Sequence, residues 1–148
     1  TARVGGVEPG RPYALYLTDR AGRYRLLAFD LDASKGPVAE DLAQLRGWLR
    51  DASIPHLVAR SGPSGGRHVW VGLGGGGVGA GLVAEVVRAM VRRLPTLDPS
   101  ALLNPGTGCV RPPGAPHRAG GVSQLLDGDL GVLTDPVTWP RARHMELA

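Results

Sequence analysis

The sequence predicts an α+β fold, a mainly antiparallel sheet with two main helices packed on it. Short runs rich in Leu and Val flank two longer stretches whose apolar residues recur at helical spacing. Gly- and Pro-rich turn chemistry separates these runs. The 148 residues are one domain's length, enough to bury about two-thirds of the unfolded surface in a single core.

Residues 1–12 are Gly/Pro-rich and read as an extended lead-in. Tyr13-Ala14-Leu15-Tyr16-Leu17 reads as a strand, Asp19-Arg20-Ala21-Gly22 as a turn, and residues 24–32 as the returning strand of a β-hairpin. Ser34-Lys35-Gly36-Pro37 opens a helix, with Pro tolerated in the first turn. Val38, Leu42, Leu45, Leu49 and Ala52 give it a buried stripe, and Pro55 stops it. Leu57-Val58-Ala59-Arg60 and His68-Val69-Trp70-Val71 are strands around a Gly-rich turn, and residues 72–79 form a flexible connector. The second helix carries Leu82, Val86, Met90 and Leu94 on one face, with Val83, Val87 and Val91 beside them. Pro95 ends it. Thr96-Leu97-Asp98, Cys109-Val110-Arg111, residues 122–126 and residues 130–133 read as short strands, and residues 136–148 as a tail. The order ββαββαβ is that of an RRM-like sandwich, a sheet covered on one face by two helices.

Seventeen basic residues against thirteen acidic ones give a net charge of +4. Only Lys35 is a lysine, and the remaining 16 are Arg. Arg forks match phosphate geometry, so this balance permits a nucleic-acid partner, although a G+C-rich genome gives the same enrichment. No run of about 18 apolar residues occurs, so no membrane partner is expected. The single Cys109 forms no internal disulfide, and no Cys/His set has zinc-finger spacing. With no charged-then-apolar leader, the expectation is a cytoplasmic, reducing compartment.

The chemistry gathers around Leu26-Leu27-Ala28-Phe29-Asp30-Leu31-Asp32-Ala33. In a strand, residues i and i+2 share a face, which sets the carboxylates of Asp30 and Asp32 side by side. Like charges that close repel unless a cation sits between them, and hard oxygen donors suit Mg²⁺ or Mn²⁺. A solvated strand face is the plain alternative. A second motif is Ser61-Gly62-Pro63-Ser64-Gly65-Gly66-Arg67-His68, where glycine amides, Ser64, Arg67 and His68 together suit a triphosphate. An ordinary hairpin loop explains the same residues. A third candidate is Asp98, since two-metal phosphoryl transfer commonly uses a further carboxylate. It is also placed to form an Asx turn, and Asp127 and Asp129 are rival acids in a turn-like segment.

Phe29-Asp30-Leu31-Asp32, Ser64-Gly65-Gly66-Arg67-His68 and Leu97-Asp98 resemble, in this order, the three motifs of the archaeo-eukaryotic primase superfamily. The likeness is greatest to the bifunctional primase/polymerase (Prim-Pol) domains of phage, plasmid and mobile-element replication proteins, and it covers about residues 13–126. Cys109-Val110-Arg111-Pro112-Pro113-Gly114-Ala115-Pro116-His117 also resembles a Pro-rich stretch after the third motif in some actinobacterial and phage relatives. The resemblance implies a DNA primase/polymerase domain in which Asp30, Asp32 and Asp98 bind two Mg²⁺ or Mn²⁺ ions. Ser64, Gly65, Gly66, Arg67 and His68 would grip the triphosphate, and Arg111 and His117 would form a second basic rim. The implied partners are a single-stranded DNA template with its primer, ribo- or deoxynucleoside triphosphates, and a fused or associated helicase. The arginines of the first turn, Arg20, Arg23 and Arg25, are further candidates for template backbone.

The chain departs from the family in being short and in lacking both a zinc-binding Cys set and a helicase motif. A single domain cut from a longer replication protein is the expectation. Three other readings use the same features. They are a non-catalytic RRM-like nucleic-acid-binding module, a metal-dependent nuclease or phosphohydrolase, and a repair-type polymerase of the same superfamily.

Overall fold

The computed structural model describes residues 13–116 and 120–134. In chain order the elements are β1 (Leu15–Tyr16), β2 (Leu26–Leu31), a 3-10 turn (Ala33–Lys35), α1 (Val38–Asp51), β3 (Leu57–Arg60) and β4 (Arg67–Gly72). There follow α2 (Ala80–Val91), β5 (Leu97–Asp98), α3 (Ser100–Leu103), β6 (Cys109–Val110), β7 (Leu125–Asp127) and α4 (Gly131–Thr134). Five strands form one antiparallel sheet in the order β5-β2-β4-β3-β7, and β1 pairs with β6 in a separate two-stranded ladder. This is an α+β architecture with a mainly antiparallel sheet, as the patterning predicts. No helix among the described residues is long and apolar enough to cross a membrane.

Alternation along β2 sorts its side chains. Leu27, Phe29 and Leu31 share one face and are buried, with α2 packed over Leu27 and Phe29 through Leu82, Val83 and Val87. Each such burial contributes about 1.5–3 kcal/mol. Leu26, Ala28 and Asp30 share the other face. That face is not bare as the two-layer sandwich would have it, because Ala28 and its β4 partner Trp70 are also withdrawn from solvent. It opens only at the Asp30 end.

Several elements differ from the sequence reading. The turn at residues 19–22 forms, with the Gly22 amide donating to Asp19 O, and Thr18 bridges Tyr24. The predicted hairpin continues only to Leu17, whose carbonyl accepts the Arg25 and Leu26 amides at 2.8 and 3.2 Å, while Leu15 and Tyr16 of β1 pair with β6 instead. In α2 the most buried positions are Val83 and Val87, while Leu82, Val86 and Met90 are only half-buried. The small β-branched residues fit closest to the sheet. Residues 130–133, read as a strand, instead turn into α4, where Asp129 Oδ1 accepts the Gly131 amide at 2.7 Å. Predicted strand 122–126 contributes only residues 125 and 126 to β7, while Val122 bridges Pro116.

Two buried polar groups tie the helix layer to the sheet. Asp41 on α1 accepts the amide and hydroxyl of Thr96 at 2.8 and 2.7 Å, and the Thr96 carbonyl accepts the Asp32 amide at 2.8 Å. At the far edge, Arg46 on α1 pairs with Asp127 on β7 and donates to His56 Nε2 at 3.3 Å. His56 Nδ1 meets the Ile54 carbonyl at 3.0 Å, which makes Nδ1 the protonated nitrogen.

Asp41→Ala leaves the Thr96 amide buried without an acceptor, so it should cost about 1–3 kcal/mol in urea denaturation. Asp41→Asn, which keeps an acceptor oxygen, should cost less. Burial holds the His56 pKa below its ordinary 6.5, with the Arg46 and Arg50 charges adding and Asp127 opposing. Below that value the unfolded chain takes up a proton that the folded chain resists, so stability is complete above it and declines as pH falls. The melting temperature should therefore drop between about pH 7.5 and about pH 5.5, and His56→Gln should flatten that limb.

Candidate active site

The register of the sheet builds the site. On β2, Asp30 lies opposite His68 of β4 on one side and opposite Asp98 of β5 on the other. Residues directly opposite in antiparallel strands project from the same face. Asp98, Asp30 and His68 therefore form a row across three adjacent strands, although 68 positions separate Asp30 from Asp98 in sequence. All three line an open cleft of about 360 Å³, whose other wall is made by α3 and the segment leading through β6 to Arg111.

Within the row, His68 Nε2 stands 3.4 Å from Asp30 Oδ1, with the imidazole almost fully buried and the carboxylate about one-third exposed. His68 Nδ1 is buried and has no hydrogen-bond partner among the described residues. Asp98 Oδ1 accepts the Ser100 amide at 3.0 Å and the Ser100 hydroxyl at 2.6 Å. Burial pushes the Asp98 pKa up, but the two Ser100 hydrogen bonds and the Lys35 charge outweigh it, so the net direction is down.

Asp32 sits one residue past the end of β2 and caps the 3-10 turn, its Oδ1 accepting the Ser34 amide at 2.8 Å. That amide, then the Ser34 hydroxyl, holds its pKa below the usual carboxylate value, against the opposing charge of Asp98. Asp32 is thus near enough to feel Asp98, but it does not line the cleft. The two acids brought side by side by the fold are Asp30 and Asp98, rather than Asp30 and Asp32.

The Ser/Gly motif divides in the same way. His68 faces the cleft, whereas Arg67 alternates to the opposite face and its Nη1 donates to the carbonyls of Gly65 and Gly66 at 3.0 and 2.9 Å. A Cβ on Gly66 would stand 3.1 Å from Leu31 O and closer still to the Ser61 hydroxyl, so only glycine fits where the turn crosses β2. Ser64 and Gly65 are exposed at its tip, with Gly65 beside Ala33. Of the basic rim, Arg111 lines the cleft, and His117 lies outside the described residues. Asp127 is on β7 at the opposite edge of the sheet, paired with Arg46, and Asp129 caps α4. Arg23 spends its guanidinium on the carbonyls of Gly76 and Gly77, and Arg25 lies 3.7 Å from Asp19.

The Asx turn expected at Asp98 forms through the Ser100 amide, whereas sequence reasoning missed the rest of the wall beside it, namely Asn104, Thr107 and Gly108. Among the described residues, no three His, Cys, Asp or Glu side chains stand grouped to hold a metal ion. The donor chemistry nonetheless suits a hard divalent cation. Two carboxylates share one face of the sheet, a third lies within electrostatic reach, and both hydrogen bonds to Asp98 fall on one oxygen.

Comparison with family models, with curated proteins and with solved structures finds no match to this chain.

The cleft wall rests on Gly108, where an added Cβ would meet the Ala101 and Asn104 carbonyl oxygens at 2.1 and 2.8 Å. Gly108→Ala should destabilise the fold by about 1–3 kcal/mol through overpacking, measured by chemical denaturation. Gly106→Ala, with open space around its Cβ position, should change little.

Proposed function

We propose that the cleft is the active site of a phosphoryl-transfer enzyme that handles a nucleoside triphosphate. More particularly, the chain is read as a DNA primase/polymerase domain, similar to the Prim-Pol domains of the archaeo-eukaryotic primase superfamily. The observation that carries this reading is the Asp98–Asp30–His68 row, which gathers one residue from each of three dispersed motifs onto one open stretch of sheet.

Asp30, Asp32 and Asp98 would hold two Mg²⁺ or Mn²⁺ ions, which when bound supply the positive charge that phosphoryl transfer to a primer 3′-hydroxyl requires. The chain's own groups do the rest. His68 is buried beside Asp30 with one ring nitrogen unspent on the fold, and a buried polar atom of that kind calls for a ligand or water partner. It orients the triphosphate. Arg111 adds fixed positive charge at the cleft wall, matching phosphate with a guanidinium fork. The tip formed by Ser64 and Gly65, with Gly65 beside Ala33, would receive the outer phosphates of the nucleotide.

The binding-module reading fares less well. RRM-like modules stack bases on aromatic side chains of an open sheet face, and here Phe29 and Trp70 are both fully buried. A repair-type polymerase uses the same chemistry and differs only in its DNA substrate.

The test is incorporation of labelled nucleotide on primed and unprimed single-stranded DNA, with Mg²⁺ or Mn²⁺ and after chelation. Metal-dependent product that disappears in a folded Asp30→Ala variant is the expected result, and product without primer makes the domain a primase. Template loss without incorporation would replace this reading with a nuclease. Extension by Asp30→Ala at the wild-type rate would overturn the site.

A further inference from the structure

The two acids side by side on the sheet floor of the cleft are not held alike. Asp30 lies within β2, hydrogen-bonded to neighbours on both sides. Asp98 is the last residue of a two-residue edge strand, after which the chain leaves the sheet at Pro99. Backbone pairing alone leaves its carboxylate free to turn about its last torsion, which is broad for an aspartate.

We infer that Ser100 is a positioning residue for Asp98, fixing which carboxylate oxygen faces the cation, and this inference rests on the polymerase reading above. The Ser100 amide and hydroxyl both donate to Oδ1, at 3.0 and 2.6 Å. Two donors occupy both lone-pair sites of that oxygen and set the carboxylate plane, and neither engages Oδ2. Ser100 is itself anchored. Its carbonyl accepts Asn104 Nδ2 at 2.6 Å, and the Leu102 and Leu103 amides close α3 onto Pro99 O. Asp98, Ser100 and Asn104 all line the same cleft, so the anchoring chain runs along its wall. A metal-binding carboxylate depends on such outer partners for its aim, and their loss typically costs about 10-fold to 100-fold in metal affinity or activity.

The experiment measures Mn²⁺ binding directly, from the electron paramagnetic resonance signal of free Mn²⁺, on the full chain and its Ser100→Ala, Ser100→Thr and Asp98→Asn variants. Melting curves and metal-titrated nucleotide incorporation accompany it. Ser100→Ala removes only the hydroxyl and should weaken Mn²⁺ binding about 10-fold to 100-fold with little change in melting temperature. Saturating Mn²⁺ should restore most of its activity, and Ser100→Thr should bind Mn²⁺ like the wild type. Wild-type Mn²⁺ affinity in Ser100→Ala, beside a weakened Asp98→Asn, overturns the role of Ser100 and leaves the site standing. A Ser100→Thr variant as weak as Ser100→Ala also overturns it, because the hydroxyl is then not what matters. A wild-type chain that binds no Mn²⁺, with Asp98→Asn indistinguishable from it, overturns the polymerase reading and this inference together.

Discussion

The pairing of β2 with strands on both sides at Asp30 is the constraint on which the rest of the molecule depends. One register places Asp98 and His68 opposite Asp30, and a slip of one residue would turn every side chain of β2 to the other face. The acids do not set that register. Phe29 and Leu31, which flank Asp30, are fully buried beneath the helix layer, so the hydrophobic set pins the strand and the carboxylate follows.

Holding a charged group at the end of a short edge strand needs more than the ladder. Thr96 serves as the joint, because it is gripped by Asp41 from α1 and in turn accepts the Asp32 amide. Asp32 and Asp98 are thereby brought within electrostatic reach of each other, while Ser34 and Ser100 give each acid a compensating hydrogen bond. Local donors keep both carboxylates ionised in a partly buried setting. The opposing wall contributes polar groups and Arg111, and its approach is limited by backbone crowding at Gly108.

The elements legible in the sequence were those with strong local signals. The α1 stripe through Leu45 and Leu49, strand Leu57–Arg60, and the turn chemistry between β3 and β4 stand as the periodicity and the glycines indicate. Weakly patterned segments went otherwise. Leu15 and Tyr16 pair with residues more than ninety positions away, a partner that no local rule exposes. Residues 130–133 became a helical turn because Asp129 caps it, a local signal that short apolar runs readily mask.

By itself the sequence determined that Asp30, His68 and Asp98 belong to strands, in that order along the chain. Only the tertiary structure decided which of them meet. Strand alternation separates His68 from Arg67 although they are adjacent in the chain. Cross-strand register joins Asp30 to Asp98 although they are far apart. The physical reason is that spacing along a chain fixes only which face a residue takes, whereas contact across a sheet depends on which strands become neighbours. That choice is made by burial of the whole apolar set.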